Sequence, residues 1–175
     1  MQQAQYGEMI IMRICVYGSS KNKDSYTMDQ AWKLGTMIAR QGHSLTYGGF
    51  GQGLLAQTAY GVKQYDGLIT AVMPTKARKN NSAFPQIDQQ LVSDDKRERK
   101  RLQVENADMF IVLPSGIGVM DELFEILVLK EYGILSQDIY LLNINGCYDT
   151  LIRLLQEEKA EYLLHVVNNV DEIKM

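Results

Sequence analysis

The sequence predicts an α/β fold, a doubly wound and mostly parallel sheet in a single domain. Three observations predict it. Short apolar runs, β-branched in part, recur at 12–17, 44–47, 68–73, 109–113 and 138–142. Between them lie segments with apolar residues at helical spacing. Several runs end in glycine-rich turns. Strands alternating with helices call for a parallel sheet covered on both faces. The 175 residues, 46% of them hydrophobic and 22% charged, suffice for one core and fall short of two ordinary domains.

Residues 1–11 read as a flexible leader, and 12–175 as the folded domain. Met12–Tyr17 is the first strand, closed by Gly18-Ser19-Ser20. Met28, Ala31, Leu34, Ile38 and their neighbours place a helix over 26–41, stopped by Gly42. Ser44–Tyr47 is the second strand and runs into Gly48-Gly49-Phe50-Gly51-Gln52-Gly53. A helix follows to about 65, then a third strand at 68–73 closed by Pro74. Residues 75–92 are polar and weakly patterned, and read as a long loop that could act as a lid. Ser93 is placed to cap a charged helix that reaches Asn106. The fourth strand, 109–113, leads through Pro114-Ser115-Gly116-Ile117-Gly118 into an apolar helix at 119–130. Strand five is 138–142, a helix spans 147–160, and 163–167 offers a further edge strand. The expected order is 3-2-1-4-5, reversing between strands one and four. Ligands of such sheets bind at the carboxyl ends of the strands beside that reversal.

The 21 acidic and 18 basic residues give a net charge of −3, which argues against a broad nucleic-acid face. Two cysteines and two histidines exclude a disulfide scaffold and leave little for a metal centre. No apolar stretch is long enough to span a bilayer, and the first residues lack a signal-peptide core. The expectation is a cytoplasmic protein with no membrane partner.

Candidate site residues cluster in three turns and one helix. Pro114–Gly118 follows a strand and opens a helix, so its backbone N–H groups can hold a phosphate or carboxylate. The alternative is a tight structural turn. Gly51-Gln52-Gly53-Leu54-Leu55-Ala56 fits the dinucleotide pattern, but it follows the second strand and lacks the acidic residue about 20 positions on, so an ordinary NAD site is not expected. Ser19 and Ser20 offer hydroxyls to a phosphate or ribose. In Asp94–Arg101 the spacings Asp94–Arg97, Asp95–Arg99 and Glu98–Arg101 suit self-pairing on a solvated helix. One of its arginines can also grip an anion, and the pattern alone does not single it out. Glu122 falls in the first turn of the apolar helix, where the helix dipole favours its ionised form. It is either a capping carboxylate or a catalytic one.

The assembled residues resemble the LOG (Lonely Guy) family, Rossmann-like phosphoribohydrolases long labelled lysine decarboxylases. The likeness covers about residues 12–160. Its core is Arg99-Lys100 followed by Ala107-Asp108-Met109-Phe110-Ile111-Val112-Leu113-Pro114-Ser115-Gly116-Ile117-Gly118-Val119-Met120-Asp121-Glu122. The family pattern there is R-K, then A-D-x-F-[IV]-x-L-P-G-G-x-G-T-x-x-E. Val16-Tyr17-Gly18-Ser19-Ser20, Tyr47-Gly48-Gly49 and Leu141-Leu142-Asn143 add support. The resemblance implies Arg99 and Glu122 as catalytic residues. It implies substrate or phosphate contacts at Gly18, Ser19, Ser20, Gly48, Gly49, Lys100, Pro114, Ser115, Gly116, Ile117, Gly118 and Val119. It also implies no metal, no cofactor, and a homodimer or larger homo-oligomer, in which the helix around 94–106 is expected near the interface. The expected substrate is a nucleoside 5′-monophosphate, cytokinin-type or AMP-like, cleaved to free base and ribose 5-phosphate. The chain departs from the pattern at Ser115, at Val119 in place of threonine, and at Gln103 in place of a methionine. A binding protein without turnover, such as a carrier of the molybdenum cofactor, is the alternative; a scaffold without ligand is a third.

Overall fold

The computed structural model describes residues 11–21, 23–74 and 83–175. Most of the expected leader and the first half of the expected 75–92 loop lie outside them. Seven strands form one sheet: β1 Arg13–Tyr17, β2 Ser44–Tyr47, β3 Ile69–Pro74, β4 Gln89–Ser93, β5 Met109–Val112, β6 Asp138–Leu142 and β7 His165–Val167. Their order is β4-β3-β2-β1-β5-β6-β7, and every pairing is parallel. The expected order is present within it, with reversal between β1 and β5 and β7 at the edge. The helices are α1 Ser25–Arg40, α2 Gly53–Lys63, α3 Lys96–Glu105, α4 Ile117–Glu131 and α5 Asp149–Glu157. A 3-10 segment at Val170–Glu172 follows β7.

The pleat sorts the core. Ile14, Val16, Leu45, Tyr47, Ile69 and Ile111 point to the face covered by α1 and α2. Those two helices approach closely at glycines: a Cβ on Gly35 would stand 1.9 Å from the Thr58 carbonyl oxygen, and one on Gly61 2.1 Å from that of Trp32. Cys15, Tyr17, Phe110, Val112, Ile139 and Leu141 point the other way, against α4 and α5. On that same face α3 lies over β3 and β4. Its far end is tied to β2 where Thr46 Oγ1 donates to the Asn106 carbonyl at 3.0 Å.

Three local expectations are corrected. Residues 89–93 are a strand, not part of a loop. Among the described residues Gln89-Gln90-Leu91-Val92-Ser93 forms a sheet edge paired with β3 alone, so it needs no continuous apolar run. Ser93 does not cap α3; it is buried at the end of β4, and Asp95 caps instead. The Asp95 carboxylate accepts from the N–H groups of Arg97 and Glu98 at 2.7 and 2.9 Å. Asp95 is thereby committed to the cap, while Glu98 pairs with Arg101 as its spacing suggests. Finally, α4 begins at Ile117, so Glu122 stands in its second turn.

Candidate active-site cleft between α3 and α4

Because α3 and α4 both start at the carboxyl edge and flank β1, they leave a groove over Tyr17. It opens as a cleft of about 520 Å³ at the reversal between β1 and β5. Arg99, Lys100 and Gln103 of α3 line one wall. Glu122 and Asp121 of α4 line the other, with Tyr17 between them. The mouth is formed by Gly18, Ser19 and Ser20 on one side, and by Ser115, Gly116, Ile117, Gly118 and Val119 on the other. Gly48 and Phe50 close the flank.

The sequence-derived residues therefore converge, with two exceptions. Gly49 does not line the cleft; its φ of +77° turns it toward Met73, whose sulfur would meet an added Cβ at 2.5 Å. Pro114 is buried behind the loop. Gly116 and Gly118 face open space, with nothing within 4 Å of an added Cβ. Gly116 caps α4 at φ −109°, so backbone strain does not demand glycine there. What glycine gives at both positions is room for a ligand against the N–H groups of α4, which no side chain caps.

Arg99 is held in place by main-chain acceptors. Its Nε donates to the Val72 carbonyl at 3.0 Å and its Nη2 to that of Gly48 at 3.5 Å. An added Cβ on Gly48 would lie 2.1 Å from Nη2, so glycine lets the guanidinium approach. The guanidinium carbon stands 5.4 Å from the Phe50 ring centre. Lys100, expected at the substrate, is already engaged: its Nζ lies 2.7 Å from Glu125 and 3.1 Å from Asp121, clipping α3 to α4.

Glu122 behaves differently from the sequence expectation. Burial pushes its carboxyl up to about 7; the positive charge of Arg99 opposes that shift and is outweighed. The dipole argument fails because Glu122 sits beyond the first turn, where the dipole effect has faded. Tyr17 is also raised well above the ordinary phenol value, chiefly by burial.

Several cleft residues were not legible beforehand. Lys21, Lys23 and Lys96 join the lining and make the mouth cationic. Isolated surface lysines carry no sequence signal of this kind. Tyr148 supports the Pro114–Gly118 loop, its hydroxyl donating to the Leu113 carbonyl at 2.7 Å across 35 positions. Asn143, part of the family likeness, holds Tyr148 by accepting from its N–H at 2.8 Å. Among the described residues, no group of three His, Cys, Asp or Glu could hold a metal ion. Nor is any helix there long and apolar enough to cross a membrane.

A family model described as "Possible lysine decarboxylase" matches residues 53–173, which include both walls of the cleft. The chain belongs to this LOG/lysine-decarboxylase-like family. It is 32% identical over 150 residues to a "Probable cytokinin riboside 5'-monophosphate phosphoribohydrolase" of Oryza sativa subsp. japonica, covering 85% of this chain and 67% of that protein. It is 29% identical over 162 residues to a cytokinin riboside 5'-monophosphate phosphoribohydrolase of Arabidopsis thaliana, covering 92% and 73%. The LOG-family chain thus spans about two thirds of the length of these relatives. Its fold matches the molybdenum cofactor binding protein of Rippkaea orientalis with a TM-score of 0.74, at 20% identity over 93% of this chain and 92% of that one.

Proposed function

We propose that the protein is a phosphoribohydrolase that cleaves the N-glycosidic bond of a nucleoside 5′-monophosphate, cytokinin-type or AMP-like. The observation that carries this reading is the Glu122 carboxyl. It is raised to about 7 by burial and faces the same cleft as Arg99 and the uncapped N-terminus of α4. The family relatives support it.

The 5′-phosphate sits against Gly116, Gly118 and the first N–H groups of α4, with Ser19, Ser20 and Ser115 at the rim. Arg99 adds positive charge, and Phe50 offers a face to the base. As the C1′–N bond breaks, positive charge builds on the ribose, and the ionised Glu122 stabilises it in a partly dry site. Glu122 also takes a proton from the water whose oxygen bonds C1′ and passes it, directly or through water, to the base nitrogen as the C1′–N bond breaks, which returns Glu122 to its ionised form. Binding energy from the remote phosphate aligns C1′ with Glu122. The products are free base and ribose 5-phosphate, and no metal or cofactor enters.

The test incubates the protein with AMP, GMP, CMP and isopentenyl-AMP and measures free base by chromatography. Nucleosides lacking phosphate react far more slowly in this scheme, and Glu122→Gln abolishes release. Base release from none of them, or undiminished release by the variant, ends the proposal.

One observation favours a second reading, a nucleotide- or phosphate-binding protein without turnover. Val119 is buried at the phosphate loop where the family pattern has a hydroxyl. Tight nucleotide binding without base release would decide for it. We further propose a homodimer, supported by the apolar face that α4 exposes beside the cleft at Ile117, Phe124 and Val128.

A further inference from the structure

One polar group in the cleft has no role in the scheme above. Gln103 is only 1% exposed, yet it lines the cleft, and its Oε1 is buried with no hydrogen-bond partner among the described residues. Buried amides are normally paired, and an unmade hydrogen bond is costly. The side chain lines the cleft, so a turn of its terminal amide brings this buried acceptor to a ligand there.

Its level in the cleft follows from the helices. Lys100 reaches both Asp121 and Glu125, the residues that bracket Glu122 on α4. Gln103 lies three residues further along α3, about 4.5 Å deeper by the helical rise. It shares the inward face of α3 with Arg99, one turn above. The helical rise thus places Gln103 on the α3 wall of the cleft whose α4 wall carries Glu122. A sugar whose C1′ is beside Glu122 presents there the hydroxyl on the adjoining carbon. An amide carries an acceptor and donors side by side, and a cis-diol carries both functions on each oxygen.

We propose that Gln103 holds the 2′- and 3′-hydroxyls of the ligand's ribose, making the cleft selective for ribonucleotides over 2′-deoxyribonucleotides. This deepens the phosphoribohydrolase reading and rests on it for the placement of C1′. A hydrogen bond to the 2′-hydroxyl strengthens as the ring becomes cationic, so Gln103 acts on turnover as well as on binding.

The experiment uses Gln103→Met, which keeps the volume and removes both hydrogen-bonding functions. Thermal melting confirms the fold; the melting temperature is unchanged or higher, because an unpartnered buried polar atom is gone. kcat/KM is then measured for AMP and 2′-deoxy-AMP with both proteins. Comparing the two ratios cancels the intrinsic lability of the deoxynucleotide. The preference for AMP falls by about tenfold in the variant, the equivalent of one hydrogen bond. Calorimetry with ribose 5-phosphate and 2-deoxyribose 5-phosphate needs no turnover. Wild type prefers the ribose compound, and the variant loses that preference. If no base is released but this binding preference holds, only the hydrolytic reading falls. If neither sugar phosphate binds, or the variant keeps the preference, the proposal is overturned. It is equally overturned if Gln103→Met alters discrimination between AMP and purine riboside 5′-monophosphate while leaving sugar discrimination intact, since Gln103 then reads the base.

Discussion

Burial and the charge of Arg99 pull the Glu122 carboxyl in opposite directions, and burial wins, leaving it raised to about 7. Two outcomes follow. Under the hydrolytic reading the ionised form is active, so kcat for AMP rises with pH along a limb centred at about 7 or above. kcat is the cleaner readout, because the second ionisation of the free nucleotide, near pH 6, enters kcat/KM. A limb below 5 would remove Glu122 from the role. The sign for stability is the reverse. A carboxyl whose folded pKa exceeds its unfolded value of 4.5 contributes most below that value and loses the contribution as pH rises through about 7. Glu122→Gln therefore melts higher than wild type at pH 8, and the gap closes near pH 4. Two glycines separate space from strain. Gly116→Ala meets nothing within 4 Å, so it folds normally and raises KM for phosphorylated substrates alone. Gly48→Ala displaces the Arg99 guanidinium from 2.1 Å and lowers kcat, with little loss of stability because the obstructing atom ends a flexible chain. Equal effects of the two on KM and kcat would contradict this division. Glu122 and Arg99 were legible as residue types at a family spacing. Their burial was not, because it depends on which residues of α3 and α4 face each other.

At the scale of elements, periodicity revealed the helices and the inner strands, since each buries an apolar face whose spacing is written in the chain. It missed β4, an edge strand whose Gln89, Gln90 and Ser93 break the pattern. The resemblance implies Lys100 at the substrate; it lines the cleft, and its ammonium also joins α3 to α4 through Asp121 and Glu125. These carboxylates belong to another helix, so local spacing on α3 could not reveal them. Lys100→Met keeps the stem and removes the clip. Partly exposed pairs are each worth about 0.2–1 kcal/mol. The melting temperature should drop by roughly 2–4 °C per kcal/mol in a chain of this size. The deficit shrinks at high salt, which screens the pairs in wild type. A variant with unchanged melting and a large rise in KM would return Lys100 to the substrate.

For the whole molecule, the reversal between β1 and β5 explains why loops distant in sequence meet in one cleft. That much was legible from strand order, because a parallel sheet gathers its βα loops at one edge. The surface that a second copy would cover was less legible: the sequence directs attention to the charged segment at 94–106. In the fold that segment supplies the Lys100 clip, and the exposed apolar surface lies on α4. Ile117, Phe124, Val128 and Tyr132 are 87%, 40%, 47% and 76% exposed and recur at spacings that keep them on one side of the helix. A stripe of this kind on one long helix suits an isologous contact, in which the same patch serves both copies. A stable contact covers about 800 Å² on each partner, which takes the stripe together with its polar borders. Ile117 also lines the cleft mouth, so a partner seated on α4 narrows access to Gly116 and Gly118. Light scattering at micromolar concentration should therefore give twice the monomer mass. Phe124→Glu places a buried, unpaired charge at the centre of the contact and should give a monomer with unchanged circular dichroism and a raised KM. Wild-type protein scattering as a monomer would sink the dimer, and with it any part a second copy plays in closing the cleft.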